Sequence, residues 1–367
     1  MKVVIAGGGT GGHIYPGLAT AAELKRRGAG IFWFGTGAGP ERRLVPQEGF
    51  DFIPIKATSL SGVPSLSIFK KMARLGAGFF EARSCLRRIR PDLVIGFGGY
   101  VSVPAVTAAL MTRVPMLLAE QNVLPGKVNR FFASRAAAVA VSYDESLQYL
   151  RGAKVTVTGN PVRREIMLCR EMTKEERCEI ITELGLSSGR MTVLIFGGSS
   201  GAASINRAAL DAVHLLGDRE DLQFLHLTGR DGFEFVRDHM PKTGRAIYRI
   251  MPYMDDMYKA LALADLAVCR AGATTVSELA CCGCPAIMVP YPYAMENHQE
   301  YNARLLEREG GAQVILDDRL NGDDLAGRIE MLACDRQELE RMGQAVRSLA
   351  KDDAAVRIAD LAENIMI

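Results

Sequence analysis

The sequence predicts an α/β protein of two Rossmann-like, doubly wound parallel-sheet domains facing a cleft. Three observations predict it. Two glycine-rich loops of one design begin 190 positions apart (197 minus 7): Val3-Val4-Ile5-Ala6-Gly7-Gly8-Gly9-Thr10-Gly11-Gly12-His13 and Val193-Leu194-Ile195-Phe196-Gly197-Gly198-Ser199-Ser200-Gly201-Ala202. Each is a short apolar, β-branched run that ends in glycines and leads into an amphipathic stretch. That is a buried strand entering a helix, whose N–H groups can approach a phosphate without Cβ interference. Strand and helix signals alternate along the rest of the chain, as in a parallel sheet covered on both faces. The 367 residues suffice for two such domains, each with its own core.

In chain order, strands are expected over residues 2–6, 30–35, 51–55, 92–96, 115–119, 136–141 and 154–158. A second set is expected over 192–196, 222–228, 245–250, 265–269, 285–289 and 312–316. Pro16 is expected in the first turn of the first helix and Gly28 at its end. Thr158-Gly159-Asn160-Pro161 is a turn cluster that reads as the hinge, dividing a first domain (1–161) from a second (162–345). Helical signal over 336–348 and 353–365 closes the chain with no strand after it. A terminal helix from about residue 346 to 367 is therefore expected to pack back on the first domain.

Bulk properties narrow the function. A formal net charge of +2 speaks against a dedicated nucleic-acid binder. The first strand starts at Lys2, leaving no room for a secretory signal, and the most apolar stretch, Val101 to Ala119, contains Arg113 and two prolines. The expectation is a protein on the cytoplasmic side, soluble or lying on a membrane surface. Eight cysteines in that setting read as reduced thiols. Cys281-Cys282-Gly283-Cys284 contains a C-x-x-C, but no second ligand pair follows, so no metal is expected.

Gly7, Gly9 and Gly12 satisfy G-x-G-x-x-G, which makes a dinucleotide-dependent oxidoreductase a rival. That reading needs an acid at the end of the second strand. Here Ile31-Phe32-Trp33-Phe34 ends in Gly35-Thr36-Gly37, and the nearest acid, Glu41, lies beyond a proline. The second loop lacks both this spacing and the Gly-Lys-Ser/Thr ending of an ATP-binding loop. A third glycine element, Ile95-Gly96-Phe97-Gly98-Gly99-Tyr100-Val101-Ser102, also follows a strand, so the first domain offers two loops on one sheet edge. Together they could hold a diphosphate; close strand-to-helix packing is the alternative for any one glycine. No cofactor is expected.

His13 leaves the first loop at a helix N-terminus, where the dipole disfavours imidazolium and keeps the ring a proton acceptor. It is the candidate general base, the alternative being a histidine that only orders the loop. Glu120, a carboxylate at a strand end, is the second candidate, the alternative being a residue that positions Asn122 or Tyr100.

Six ordered motifs resemble the MurG family, the bacterial undecaprenyl-diphospho-muramoylpentapeptide β-N-acetylglucosaminyltransferases of peptidoglycan synthesis. They are Gly8-Gly9-Thr10-Gly11-Gly12-His13, Gly98-Gly99-Tyr100-Val101-Ser102, Glu120-Gln121-Asn122, Gly159-Asn160-Pro161-Val162-Arg163, Gly197-Gly198-Ser199 and Arg270-Ala271-Gly272-Ala273-Thr274-Thr275-Val276-Ser277-Glu278. The resemblance implies a GT-B fold and inverting transfer of GlcNAc from UDP-GlcNAc to lipid I, yielding lipid II. It implies that Thr10, Gly11, Gly12 and Asn122 touch the transferred sugar and diphosphate, with Gly99 and Tyr100 also binding substrate. From the second domain, Arg163 and Ser199 would face the donor diphosphate and Met254 would offer backbone contacts to uracil. Ala273, Thr274, Thr275, Val276, Ser277 and Glu278 would hold the rest of the nucleotide, Glu278 accepting from ribose hydroxyls. Gln299 would read the sugar. Ala119 stands where a histidine is usual and Ser200 where a glutamine is usual. Metal-dependent transferases commonly use Asp-x-Asp, and no two aspartates here stand two positions apart. Helix N-termini beside Ser199 and Ala273, with Arg163 and Arg270, would supply the positive field instead.

Between Ile68 and Arg90 lie Lys70, Lys71, Arg74, Arg83, Arg87, Arg88 and Arg90 against the single acid Glu81. Met72, Leu75, Phe79, Ala82 and Leu86 repeat at helical spacing and read as core. Ile68, Phe69 and Phe80 at the margins could enter a bilayer while the cations meet anionic lipid. Rival readings are a UDP-GlcNAc 2-epimerase-like enzyme, which has no use for such a face, and a non-catalytic nucleotide-sugar-binding scaffold, which has no need of a base.

Overall fold

Val3, Val4, Ile5 and Ala6 are all fully buried, although successive strand residues point to opposite faces. Such a strand needs cover on both sides, the condition of a central parallel strand. A computed structural model describes residues 1–58 and 65–366, apart from the side chains of 65–69, and shows that cover. The chain divides into two units, Met1–Arg163 with Lys351–Ile367, and Arg164–Ala350.

The first unit carries strands β1 (Lys2–Ala6), β2 (Gly30–Gly35), β3 (Asp51–Pro54), β4 (Leu93–Gly96), β5 (Met116–Glu120), β6 (Ala138–Val141) and β7 (Val155–Val157). They form one parallel sheet in the order β3-β2-β1-β4-β5-β6-β7. Its helices are α1 (Gly11–Arg26), α2 (Glu41–Gln47), α3 (Ser65–Ile89), α4 (Gly99–Thr112) and α5 (Lys127–Phe132). Val3, Ile5, Trp33 and Ile95 face one core with Ile14 and Leu24 of α1; Val4, Ala6 and Phe34 face the other with Leu86 of α3 and Val106 of α4.

The second unit begins with helices α6 (Arg164–Leu168) and α7 (Lys174–Glu183), then strands β8 (Met191–Phe196), β9 (Leu222–Leu227), β10 (Ile247–Met251), β11 (Leu266–Cys269), β12 (Ala286–Met288) and β13 (Ala312–Val314). These are parallel in the order β10-β9-β8-β11-β12-β13. Around them lie α8 (Ala203–Leu215), α9 (Phe233–Asp238), α10 (Met257–Leu263), α11 (Ala273–Cys282), α12 (His298–Arg308), α13 (Gly322–Cys334) and α14 (Arg336–Ser348). Every expected strand is present, with ends displaced by at most two residues.

The last helix, α15 (Ala354–Asn364), belongs to the first unit and buries Ile358, Ala359 and Ala362 in the core that α1 shares. Arg27 at the end of α1 pairs with Asp360 at 2.7 Å and Glu363 at 2.9 Å. The return starts at Lys351; residues 346–348 lie in α14, whose Met342 and Val346 are buried within the second unit. Pro16 lies in the second turn of α1, not the first, because the extended N-cap is Thr10 and the helix starts at Gly11. Gly28 follows the C-cap at φ +87°, a left-handed stop that glycine takes without strain.

Strand order reverses between β1 and β4 in the first unit and between β8 and β11 in the second. In doubly wound sheets, ligands bind outside the carboxyl ends of the strands at such a reversal. Register puts Ala6 beside Gly96 and Phe196 beside Cys269, so all the glycine loops emerge there.

Candidate functional site

In the first unit, β1 runs into Gly7-Gly8-Gly9 and β4 into Phe97-Gly98-Gly99, two adjacent loops. Trp33, fully buried on β2, donates from Nε1 to the Gly7 carbonyl at 2.9 Å and ties the loop to the core. Gly9 has φ +83° and sits under the Tyr100 ring, 3.2 Å from the place a Cβ would take. Thr10 is an N-cap whose side chain does not cap; its Oγ1 lies 3.2 Å from Nδ1 of His13. The His13 ring in turn lies over Gly98 and Gly99, at the start of α4. Thr10, Gly11, Gly12, His13, Gly99 and Tyr100 are thus gathered at one sheet edge, all at least partly exposed.

Glu120 stands at the end of β5. It is buried, and its two oxygens accept from Asn122 N (2.9 Å) and Nδ2 (3.2 Å), Gly126 N (2.8 Å) and Asn129 Nδ2 (2.9 Å). A carboxylate so engaged organises the loop after β5 and orients Asn122. Ala119 is buried in the sheet, where its carbonyl accepts from Gln121 and Asn129.

Arg163 belongs to the first unit rather than the second, with its guanidinium 4.3 Å over the Tyr15 ring. This stacking holds a cation at the end of that unit's chain path.

In the second unit, Ser199 and Ser200 are exposed on the loop after β8. Gly201 closes the loop with an N–H to the Gly198 carbonyl at 3.0 Å and packs backbone on backbone against Thr228 and Gly229. Beneath it runs a buried relay. Tyr248 Oη is 2.8 Å from His226 Nδ1, His226 Nε2 is 3.0 Å from Asn206 Oδ1, and Asn206 Nδ2 donates to the Thr228 carbonyl at 2.9 Å. Burial pushes His226 down to about 3, so it is neutral.

Helix α11 starts at Ala273 behind the extended Gly272, and its first turns carry Thr274, Thr275, Ser277 and Glu278. Ser277 Oγ donates to the Ala273 carbonyl at 3.0 Å, and Glu278 is mostly buried. Val276 is fully buried, so its side chain is core. Met254 is buried in the segment after β10. Gln299 accepts the Tyr291 N–H at 3.0 Å through Oε1.

Arg270 directly follows β11. Its guanidinium pairs with Asp317 at 2.5 Å and donates to Val289 O (3.1 Å), Pro290 O (3.2 Å) and Ser204 Oγ (2.9 Å). That arrangement clamps β11 to the ends of β12 and β13, with Asp317 facing the guanidinium.

Sequence reasoning missed Glu41. It opens α2 fully buried, accepting from Gly9 N (3.0 Å), Thr36 N (2.9 Å) and Thr36 Oγ1 (2.5 Å). The signal was available in Gly35-Thr36-Gly37-Ala38-Gly39-Pro40-Glu41, a loop of small residues ending in an acid at a helix start.

Cys281 and Cys284 are buried, and burial pushes the Cys284 thiol up. Among the described residues no cluster of three or more His, Cys, Asp or Glu could hold a metal.

Two doubly wound parallel sheets with glycine loops at both reversals make a GT-B-like fold. The family model described as glycosyltransferase family 28 N-terminal domain matches residues 3–141, and the family 28 C-terminal domain matches 192–358. The chain belongs to glycosyltransferase family 28. It is 40% identical, over 99% of both chains, to "UDP-N-acetylglucosamine--N-acetylmuramyl-(pentapeptide) pyrophosphoryl-undecaprenol N-acetylglucosamine transferase" of Halothermothrix orenii. Identity to the same-named transferase of Desulfitobacterium hafniense is 40% over 98% of each. The crystal structure of Acinetobacter baumannii MurG is similar at 27% identity and TM-score 0.76, covering 99% of each chain. UDP-GlcNAc 2-epimerase from Neisseria meningitidis, at 14% identity and TM-score 0.72, shares the fold.

Proposed function

We propose that this chain transfers GlcNAc, with inversion, from UDP-GlcNAc to the muramoyl sugar of undecaprenyl-diphospho-MurNAc-pentapeptide, converting lipid I to lipid II. The observation that carries the reading is identity of 40% over nearly the full length of a transferase whose name states that donor sugar and that acceptor. In this reaction the acceptor hydroxyl attacks the anomeric carbon, its proton passes to a base, and UDP leaves with the bonding pair. A base and a positive field on the departing diphosphate are required.

His13 is the base in this reading. With Nδ1 held by Thr10 Oγ1 at 3.2 Å, Nε2 is the ring nitrogen assigned to take the proton. The ring stands in the first turn of α1 and against the first residue of α4, at two positive helix ends. Donor recognition falls to the second unit: Ser199 and the start of α11 for the diphosphate, Glu278 for ribose, Met254 backbone for uracil and Gln299 for the sugar. Arg163, stacked on Tyr15, and Arg270, held in place by Asp317, are the diphosphate cations in this reading.

The same reading places the first unit on the cytoplasmic face of an anionic membrane. Met72 and Phe80 on α3, Met111 at the end of α4 and Phe131 on α5 are each more than half exposed, so Met72 is not the core residue its spacing suggested. Lys127, Arg135 and the exposed Lys70, Arg74, Arg87 and Arg88 accompany them, while Glu81 is paired with Lys56 at 2.6 Å. Apolar tips among cations suit an anionic lipid surface. The side chains of Ile68 and Phe69 lie outside the described residues. No helix among the described residues is long and apolar enough to cross a membrane.

The deciding experiment incubates the protein with labelled UDP-GlcNAc and a polyprenyl-diphospho-muramoyl-pentapeptide. Label in the lipid product supports the reading. Conversion of the nucleotide sugar to its 2-epimer with no lipid label would overturn it.

A further inference from the structure

We propose that Glu41 is a positioning residue for GlcNAc transfer, holding the first glycine loop in the shape that presents Thr10 and His13. The inference rests on the reading of His13 as base. The carboxylate is fully buried beneath the loop and takes the Gly9 N–H at 3.0 Å, while Thr36 donates to it through both N–H and Oγ1. Thr36 Oγ1 also accepts the Gly39 N–H at 3.1 Å, so its proton is directed at Glu41. Space for the carboxylate comes from glycines: a Cβ on Gly8 would stand 2.5 Å from Cδ, one on Gly35 2.6 Å from Cγ, and one on Gly39 would strike both oxygens. Gly8, which the sequence offers as part of a phosphate cradle, joins Gly35 and Gly39 in enclosing an acid of the protein's own.

Two consequences follow for the chemistry. The Gly9 N–H points inward and is spent, and an anion beneath the loop opposes a phosphate there. Ligand contacts on this loop therefore fall to the Thr10 hydroxyl and the Gly11–His13 turn at the start of α1. The bond also sets where Thr10 begins, one residue after Gly9, and Thr10 Oγ1 in turn holds Nδ1 of His13. A chain of bonds, Glu41 to Gly9 and Thr10 to His13, connects a buried acid that touches no substrate to the proton acceptor.

The test uses the full-length enzyme with a short-chain, water-soluble lipid-linked acceptor. Glu41→Gln keeps the size and replaces one acceptor oxygen with an amide that faces donors. A displacement of about 1 Å at a catalytic group can cost on the order of 10²-fold in rate. The expected result is a fall of that order in kcat, with UDP affinity measured by calorimetry unchanged. Thr36→Val, which removes the hydroxyl donor, should move kcat in the same direction, and Thr36→Ser should restore it. A merely structural role would instead lower the folded fraction and leave kcat per UDP-binding site at the wild-type value; that result in both Glu41→Gln and Thr36→Val overturns the proposal. If Glu41→Gln does not fold, the Thr36 pair decides alone. His13→Ala separates the two readings: full activity in that variant removes the base assignment, whereas its loss together with wild-type kcat in the folded Glu41 and Thr36 variants removes only the positioning role.

Discussion

The imidazole of His13 fills the space that a side chain at Gly99 would need, with Cε1 3.1 Å and Nδ1 3.2 Å from where a Cβ would stand. Gly99 also has φ +69°, where an L side chain costs about 1–2 kcal/mol. Two requirements, one conformational and one steric, converge on this glycine, so Gly99→Ala should displace the ring. We expect His13→Ala to lower turnover by about 10²-fold or more, the range for loss of a general base, with UDP affinity unaffected. Gly99→Ala should fall between that variant and wild type in steady-state turnover. Wild-type turnover in both would remove His13 from the chemistry.

Donor binding is read separately. Glu278→Ala should weaken UDP-GlcNAc binding by about 1.5–3 kcal/mol, the value of hydrogen bonds to a charged group. Acceptor KM should stay the same. Calorimetric titration with UDP giving wild-type affinity would show that Glu278 is a helix residue and no ribose clamp.

Leaving-group stabilisation by helix N-termini and Arg163 predicts turnover without a divalent ion, since the chain has no Asp-x-Asp element. Exhaustive EDTA treatment should leave most of the activity. Loss of turnover restored by Mg²⁺ or Mn²⁺ would replace this mechanism with a metal-assisted one.

The membrane face should bind anionic vesicles, release them as salt is raised, and bind neutral vesicles poorly. Replacing Lys70, Lys71 and Arg74 by glutamate should reduce flotation while sparing transfer to a water-soluble acceptor. Unchanged flotation in that variant would move the contact away from α3.

The relay under the second glycine loop predicts a pH dependence of stability. His226 is held down to about 3 by burial, whereas an unfolded chain titrates near 6.5. Between those values the unfolded chain binds a proton that the folded one does not. Stability is therefore fully present above about pH 6.5 and is lost as pH falls toward 3. Urea midpoints measured at pH 7 and 4.5 should differ less in His226→Gln than in wild type; equal differences would assign the acid sensitivity to other groups.

What the sequence determined by itself was everything carried by local pattern. Runs such as Val3–Ala6 and Val193–Phe196 leave few options but buried parallel strands, because only a sheet covered on both faces satisfies apolar side chains at every position. The glycines after them marked the loops, and the order of motifs marked the family. What only the tertiary structure decided was which polar groups meet. Glu120 and Arg270 read as chemistry in the chain, and the fold surrounds each with partners, Asn122, Gly126 and Asn129 for one and the distant Asp317 for the other. Glu41 read as an acid too far along for a nucleotide, and the fold returns it under Gly9, 32 residues back. Val276 stands among ligand-binding residue types and turns into the core. A carboxylate or guanidinium acts on whatever lies within a few ångströms, and that distance is set by packing between segments far apart in sequence, to which neither residue type nor spacing gives access.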